Sequence, residues 1–133
     1  MLSELQQYNK VYRLFEPDEK LVLAVSGGLD SMVLTDLMQK AGAHFVVAHC
    51  NFHLRGEESD DDEQFVREYA EKNDLQCFVN HFDTEKYAVE EGVSIEMAAR
   101  NLRYAWFEEL RQQLGYDKIV LAHHADDQIE TIF

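Results

Sequence analysis

Basic residues are scarce in this chain: 12 lysines and arginines stand against 26 aspartates and glutamates among 133 residues, a formal charge of −14. That sign excludes a domain that grips nucleic acid by its own surface, so any RNA partner would need basic surface from elsewhere. Only two cysteines occur, Cys50 and Cys77, with neither a CxxC spacing nor a dense framework. Iron–sulfur and zinc-ribbon chemistry are thereby set aside, and reduced cysteines in strands or core are expected. No apolar run approaches the roughly 18 residues of a membrane span, and no basic start leads into a signal-peptide core. A soluble, cytoplasmic protein without a membrane partner is expected. One proline and six glycines offer little material for a linker, and no repeat or low-complexity tract is present.

What remains is 46% hydrophobic, enough for one domain with a real core. Leu5, Tyr8, Tyr12 and Phe15 stand at helical spacing before Pro17, which predicts an amphipathic helix over residues 2–15. Strands are predicted over residues 21–25, 44–50, 76–82 and 118–122. They alternate with helices over residues 31–40, 59–72 and 94–114, and a weakly patterned stretch with a short helix covers 83–93. In the helix at 94–114, Ile95, Ala98, Ala99, Leu102, Trp106 and Leu110 form the predicted core stripe. The run Glu57-Glu58-Ser59-Asp60-Asp61-Asp62-Glu63 reads as a solvated helix start capped by Ser59. Such alternation predicts an α/β, Rossmann-like doubly wound parallel sheet.

The first strand runs straight into Ser26-Gly27-Gly28-Leu29-Asp30-Ser31 and then a helix. Glycines that let the backbone come close, inward amides and a helix N-terminus are what an anion needs. The segment is neither GxxxxGK[ST] nor GxGxxG. Asp30 is the anomaly, because a carboxylate about 4 Å from a phosphate costs roughly 4 kcal/mol at an effective dielectric near 20, whereas a helix dipole returns at most about 2 kcal/mol. A phosphate bound here therefore calls for a divalent cation, of which Mg²⁺ is the usual choice beside a nucleotide. The plainer alternative is a tight turn with Asp30 as a helix cap.

The SGGLDS segment after an apolar strand resembles the SGGxDS signature of the PP-loop ATP pyrophosphatases. Three further segments follow in order: His49-Cys50-Asn51-Phe52-His53-Leu54-Arg55-Gly56-Glu57-Glu58-Ser59, Ala99-Arg100-Asn101-Leu102-Arg103-Tyr104, and Ala122-His123-His124-Ala125-Asp126-Asp127-Gln128-Ile129-Glu130-Thr131. Together with the loop they resemble the N-terminal domain of the tRNA(Ile)-lysidine synthetase family, from Leu21 to Thr131. The resemblance implies a ligase that uses ATP to adenylate the C2 oxygen of the wobble cytidine 34 of tRNA(Ile) with a CAU anticodon. Free lysine then displaces AMP to give lysidine, and decoding changes from AUG to AUA. It also implies one PP-loop catalytic domain over residues 1–133, cut short at its C-terminal end, with the tRNA-binding C-terminal domains absent. The residues Ile129–Phe133 read as a helix that starts without closing. A homodimer is compatible with the resemblance.

In that light Ser26, Gly27, Gly28, Leu29, Asp30, Ser31 and His123 are expected at ATP, with Asp30 and Asp127 sharing Mg²⁺ at the pyrophosphate end. Under the family's strand order 3-2-1-4, Asp30 and Asp127 face one crevice at the topological switch point. Arg103, with Arg100 behind it, is expected to supply the charge missing from the loop and to steady the α-phosphate. A surface pairing of the arginines with Glu96 is the alternative. Asp127 and Glu130 are expected where the lysine ammonium is held and deprotonated. Catalytic roles thus fall on Asp30, Arg103 and Asp127, and His49 and His53 are placed loosely at the rim around the adenosine. His123, His124, Asp126 and Asp127 also resemble a metal cluster, but neither HxxEH nor HExxH spacing is present. A tRNA thiolase, an amide-forming synthetase and a non-catalytic nucleotide-binding module remain open.

Overall fold

The structure, a computed structural model, describes Phe15, Glu16, residues 18–123 and residues 128–132. The helix predicted over residues 2–15 lies almost wholly outside the described residues, as does Asp127. The chain order is β1 (Lys20–Ala24), α1 (Leu29–Lys40), β2 (His44–Asn51), α2 (Glu57–Lys72), β3 (Cys77–His81), α3 (Thr84–Glu91), α4 (Ile95–Leu114), β4 (Lys118–His123) and β5 (Gln128–Ile132).

One sheet results, in the order β3-β2-β1-β4-β5. Its first four strands are parallel, with Val22 opposite Val46 on one side and Ile119 on the other. β1 is therefore central, and its residues are buried on both faces, as its unbroken apolar run requires. Leu21 and Leu23 pack with Leu34, Leu37 and Met38 of α1 and Val66 of α2. Val22, pointing the other way, packs with Phe107 and Leu110 of α4. The period of two along one strand thus divides the core into two layers, and the fold is doubly wound.

Three expectations need correction. Residues 129–132, expected to begin a helix, do not. Gln128–Ile132 is a strand antiparallel to β4, with Ile119 opposite Ile132 and Leu121 opposite Glu130, so the sheet is parallel only through β4. Ile129, Thr131 and Ile132 are β-branched, which suits a pleated neighbour better than a helix turn. Second, α2 starts two residues early. Gly56 at φ 56° is its cap position, and Ser59 Oγ accepts from the Arg55 amide at 3.2 Å instead of capping. Third, the α4 stripe holds at Ala98 and Leu110, both buried, but not throughout: Ile95 is 40% exposed, and Phe107, absent from the predicted stripe, is fully buried. Trp106 and Phe107 are adjacent and both apolar, so periodicity alone leaves open which of them faces the core.

The weakly patterned stretch before α4 is settled by its ends. Asp83 accepts from the Lys86 amide, Gly92 closes α3 in the left-handed conformation, and Ser94 caps α4 through the Met97 amide. Among the described residues no helix is long and apolar enough to cross a membrane.

Candidate active site

β1 ends at Ala24 and α1 begins at Leu29, so Val25 to Gly28 must turn the chain through four residues. Gly27 carries the turn at φ +93°, a conformation that a side chain resists. A Cβ there would also stand 3.4 Å from the Cβ and the carbonyl oxygen of Asp62 on α2. Gly28, at φ −74°, is the cap position of α1, so Asp30 lies inside the first turn rather than at the cap.

The hydroxyl of Ser31, 5% exposed, organises the loop. Its oxygen accepts from the Ser26 and Gly27 amides at 3.2 Å each and from the Ser26 hydroxyl at 3.1 Å, and it donates to the Gly28 carbonyl at 3.0 Å. The Gly28 amide donates to Ser26 Oγ at 3.2 Å. The Ser26, Gly27 and Gly28 amides, expected to face an anion, are thus taken up by serine oxygens within the loop.

Beside this loop lies a cavity lined by Ser26, Ser31, Cys50, Phe52, Arg103 and Phe107, with Ala24, Val25, Ala48 and Leu121 completing an apolar wall. It opens where the carboxyl ends of β1 and β2 meet α4, at the switch point of the sheet order. Arg103 Nε is buried without a hydrogen-bond partner among the described residues. An unpaired buried donor on a cation costs more than an ordinary orphaned donor, so an anionic occupant is what this wall lacks. The Cys50 thiol is pushed up from 9.0 to about 12 by burial, which the charge of Arg103 only partly offsets. Cys50 and Cys77 are both free.

The remaining predicted site residues fall in different places. Arg100 is exposed, and neither it nor Arg103 forms an ion pair among the described residues; both guanidinium groups lie over the Tyr104 ring, and no Glu96 pairing forms. His49 is 3% exposed, and its Nδ1 lies 2.7 Å from the Val25 carbonyl, which ties β2 to the start of the loop. It lines a neighbouring cavity with Ser26, Asn51, Arg55 and Asp62.

His53, exposed and at φ 54°, stacks on His81 with centroids 4.9 Å apart, away from the cavity that holds Arg103. His81 in turn lies 3.0 Å from Glu63. Burial pushes the Glu63 carboxyl up, but hydrogen bonds from Asn51 and Arg67 and the charges of His81 and Arg67 prevail and hold it below the usual carboxylate range. His123 and Glu130 are placed only as backbone in β4 and β5.

Sequence reasoning missed Cys50, Phe52, Phe107 and Tyr104 as parts of the site. Only Tyr104 carried a signal, being next to Arg103 and four residues from Arg100. Among the described residues no group of three or more His, Cys, Asp or Glu side chains is placed to hold a metal ion.

Known proteins resemble this chain in sequence and in fold. The family model of the PP-loop domain matches residues 2–133. The tRNA(Ile)-lysidine synthase of Bacteroides thetaiotaomicron is 48% identical over 126 residues, covering 95% of this chain and 30% of that protein. The tRNA(Ile)-lysidine synthase of Parabacteroides distasonis is 47% identical over 132 residues, covering 99% of this chain and 30% of its own length. This chain thus spans about a third of the length of these relatives. Among solved structures, an NH3-dependent NAD synthetase from Campylobacter jejuni superposes with a TM-score of 0.66 at 11% identity, over 88% of this chain and 53% of that one, a likeness of fold. With the SGGLDS turn leaving the central strand of this sheet and the family model spanning all but its first residue, the chain belongs to the PP-loop domain family.

Proposed function

We propose that this chain is the catalytic PP-loop domain of a tRNA-modifying ligase that joins free lysine to C2 of cytidine 34 in tRNA(Ile) with a CAU anticodon, at the expense of ATP. The observation that carries the reading is the cavity in which the Ser26–Ser31 loop meets Arg103, whose buried Nε has no partner among the described residues. The two relatives named as tRNA(Ile)-lysidine synthases support the choice of substrate.

The chemistry divides into two displacements. The cytidine O2 attacks the α-phosphorus of ATP, an O–P bond forms, and the α–β bond breaks to release pyrophosphate. The ε-amine of lysine then attacks C2, and AMP leaves with the former O2. To receive the β- and γ-phosphates, the loop amides and the Ser26 and Ser31 hydroxyls exchange the hydrogen bonds they make with one another for bonds to phosphate oxygens, and His123 joins them. Arg103 faces the α-phosphate, where negative charge grows, and the apolar wall of Ala24, Val25, Ala48, Phe52, Phe107 and Leu121 excludes water and strengthens that interaction.

Lysine is a cation near neutral pH and must lose a proton before it attacks. We assign that task to Asp127 and Glu130, whose carboxylates also suit an ammonium. Asp30, in the first turn of α1, offers a hard oxygen at the phosphate cradle, and Mg²⁺ binds through one or two carboxylates together with substrate phosphates. Asp30 and Asp127 would hold it, and when bound it neutralises the charge of the departing pyrophosphate.

A sulfur-transferring relative is disfavoured by Cys50, the cysteine in the cavity wall, because burial keeps it a neutral thiol and a poor nucleophile. Pyrophosphate release by the purified protein, measured with ATP, tRNA(Ile) and lysine, is the test. Release that requires tRNA, with lysine incorporated into it, is expected, and Arg103→Ala should lower it by orders of magnitude while the fold persists. ATP binding without pyrophosphate release would point to a nucleotide-binding module instead.

A further inference from the structure

Two guanidinium groups share one aromatic ring on α4. Arg100 Cζ lies 4.9 Å and Arg103 Cζ 5.5 Å from the centroid of Tyr104. Like charges brought this close repel, and a chain with 26 acids and 12 bases has carboxylates to spare for both. The other arginines with described side chains do find them: Arg55 meets Glu58, Arg67 meets Glu63, and Arg111 meets Glu108. Arg100 and Arg103 are the exceptions among the described residues.

Their ring is fixed, because Tyr104 packs against the core layer of Val22, Val46 and Phe107. Of the two cations it carries, Arg103 lines the cavity and Arg100 stands exposed. An aromatic ring attracts a cation without neutralising it, so both guanidiniums keep their five donors for an external anion. A cation pair left without acids among the described residues of so acidic a chain marks a site for anions that arrive from outside.

We propose that Arg100 binds a backbone phosphate of the RNA whose base enters the cavity, and that Tyr104 is a positioning residue for both arginines. The inference rests on the reading of the cavity as a site of RNA-base modification. A nucleotide that inserts its base beside Arg103 leaves its phosphodiester at the rim, within reach of an exposed guanidinium, whose planar fork matches phosphate oxygens. One ring then sets the spacing between the anion of the nucleotide substrate inside and the anion of the RNA outside.

The experiment measures binding of unmodified tRNA(Ile) to the purified protein across a salt series, for wild type, Arg100→Gln and Arg100→Lys, with ATP affinity measured in parallel. Arg100→Gln should weaken tRNA binding severalfold and reduce the slope of log affinity against log salt by about 0.7, the loss of one single-strand phosphate contact. Arg100→Lys should restore the slope, and ATP affinity should not change. An unchanged slope in Arg100→Gln overturns the proposal, as does a loss of ATP affinity with tRNA binding intact, which would move the contact to the nucleotide.

Tyr104→Phe should keep both tRNA affinity and turnover, whereas Tyr104→Leu should raise the KM for tRNA and lower kcat together. Wild-type behaviour of a folded Tyr104→Leu removes the positioning role, and Arg100→Gln decides the phosphate contact whether or not that variant folds. Should wild type bind tRNA and ATP yet release no pyrophosphate with lysine, the proposed function fails. Should wild type bind tRNA and release pyrophosphate and Arg100→Gln show an unaltered slope, this inference alone fails.

Discussion

The hydroxyl oxygens of Ser26 and Ser31 lie 3.1 Å apart at the centre of the loop between β1 and α1. Ser31 Oγ also accepts the Ser26 and Gly27 amides, so one buried hydroxyl holds together the turn proposed to receive phosphate. Removing it by Ser31→Ala leaves those amides without their partner. Stability should fall by about 1–3 kcal/mol, read as a lower urea midpoint at unchanged m-value. Nucleotide affinity should fall as well; an unaltered midpoint would mean that water replaces the hydroxyl at no cost.

The two loop glycines should not respond alike. Gly27→Ala places a side chain at φ +93° and against Asp62, so a loss of about 1–3 kcal/mol and a displaced loop are expected. Gly28→Ala, at φ −74°, meets only Ser26 Oγ at 3.4 Å and should be milder. Thermal denaturation of the two variants side by side tests the order, and equal losses would contradict it.

Phe107 anchors α4 to the sheet and closes the cavity wall at once. Phe107→Ala should cost about 3–5 kcal/mol. Trp106, half-buried and edge-on to Phe82, should cost less when truncated. Denaturant titration of both variants distinguishes this orientation of α4 from one rotated by a residue.

Glu63 gives a pH signature. Its carboxyl is held below the usual range when folded, so its contribution to stability is present above the unfolded value near 4.5 and is lost as pH falls through the folded value. Glu63→Gln should therefore lower stability at pH 6 to 7 and flatten the acid limb below about pH 4.5. Parallel acid limbs in wild type and variant would show that Glu63 does not set it.

Cys50 tests the cavity without any substrate chemistry. With its thiol pushed up to about 12, it should react slowly with an aromatic disulfide reagent at pH 8, far more slowly than after unfolding in urea. Because Cys50 lines the cavity beside Arg103, ATP should slow the reaction further. Rapid labelling that ATP does not affect would place nucleotide elsewhere.

Much of this architecture was legible in local patterns. An unbroken apolar stretch at residues 21–25 suits a strand covered on both faces, and the turn residues behind it place the start of α1 within two residues of Leu29. The same kind of reading picked out Ser26, Ser31 and Arg103, which line one cavity although 72 residues separate Ser31 from Arg103. It did not find Phe52 or Cys50, because a strand-end residue joins a cavity only when another element stands opposite. It also misjudged residues 129–133, whose pattern suits a helix or a strand and whose pairing depends on the free edge of β4.

The sequence by itself determined the order of elements as far as β4, the parallel β1–β4 core and the tight turn that leaves β1, because hydrophobic period, glycine and cap residues act over a few positions. Only the tertiary structure decided that Phe107 joins the buried side of α4, that Tyr104 carries two arginines that no acid among the described residues neutralises, and that His49 braces the loop. Those outcomes depend on packing and electrostatics between segments far apart in the chain, where free energies of a few kcal/mol choose among arrangements that local pattern leaves equal.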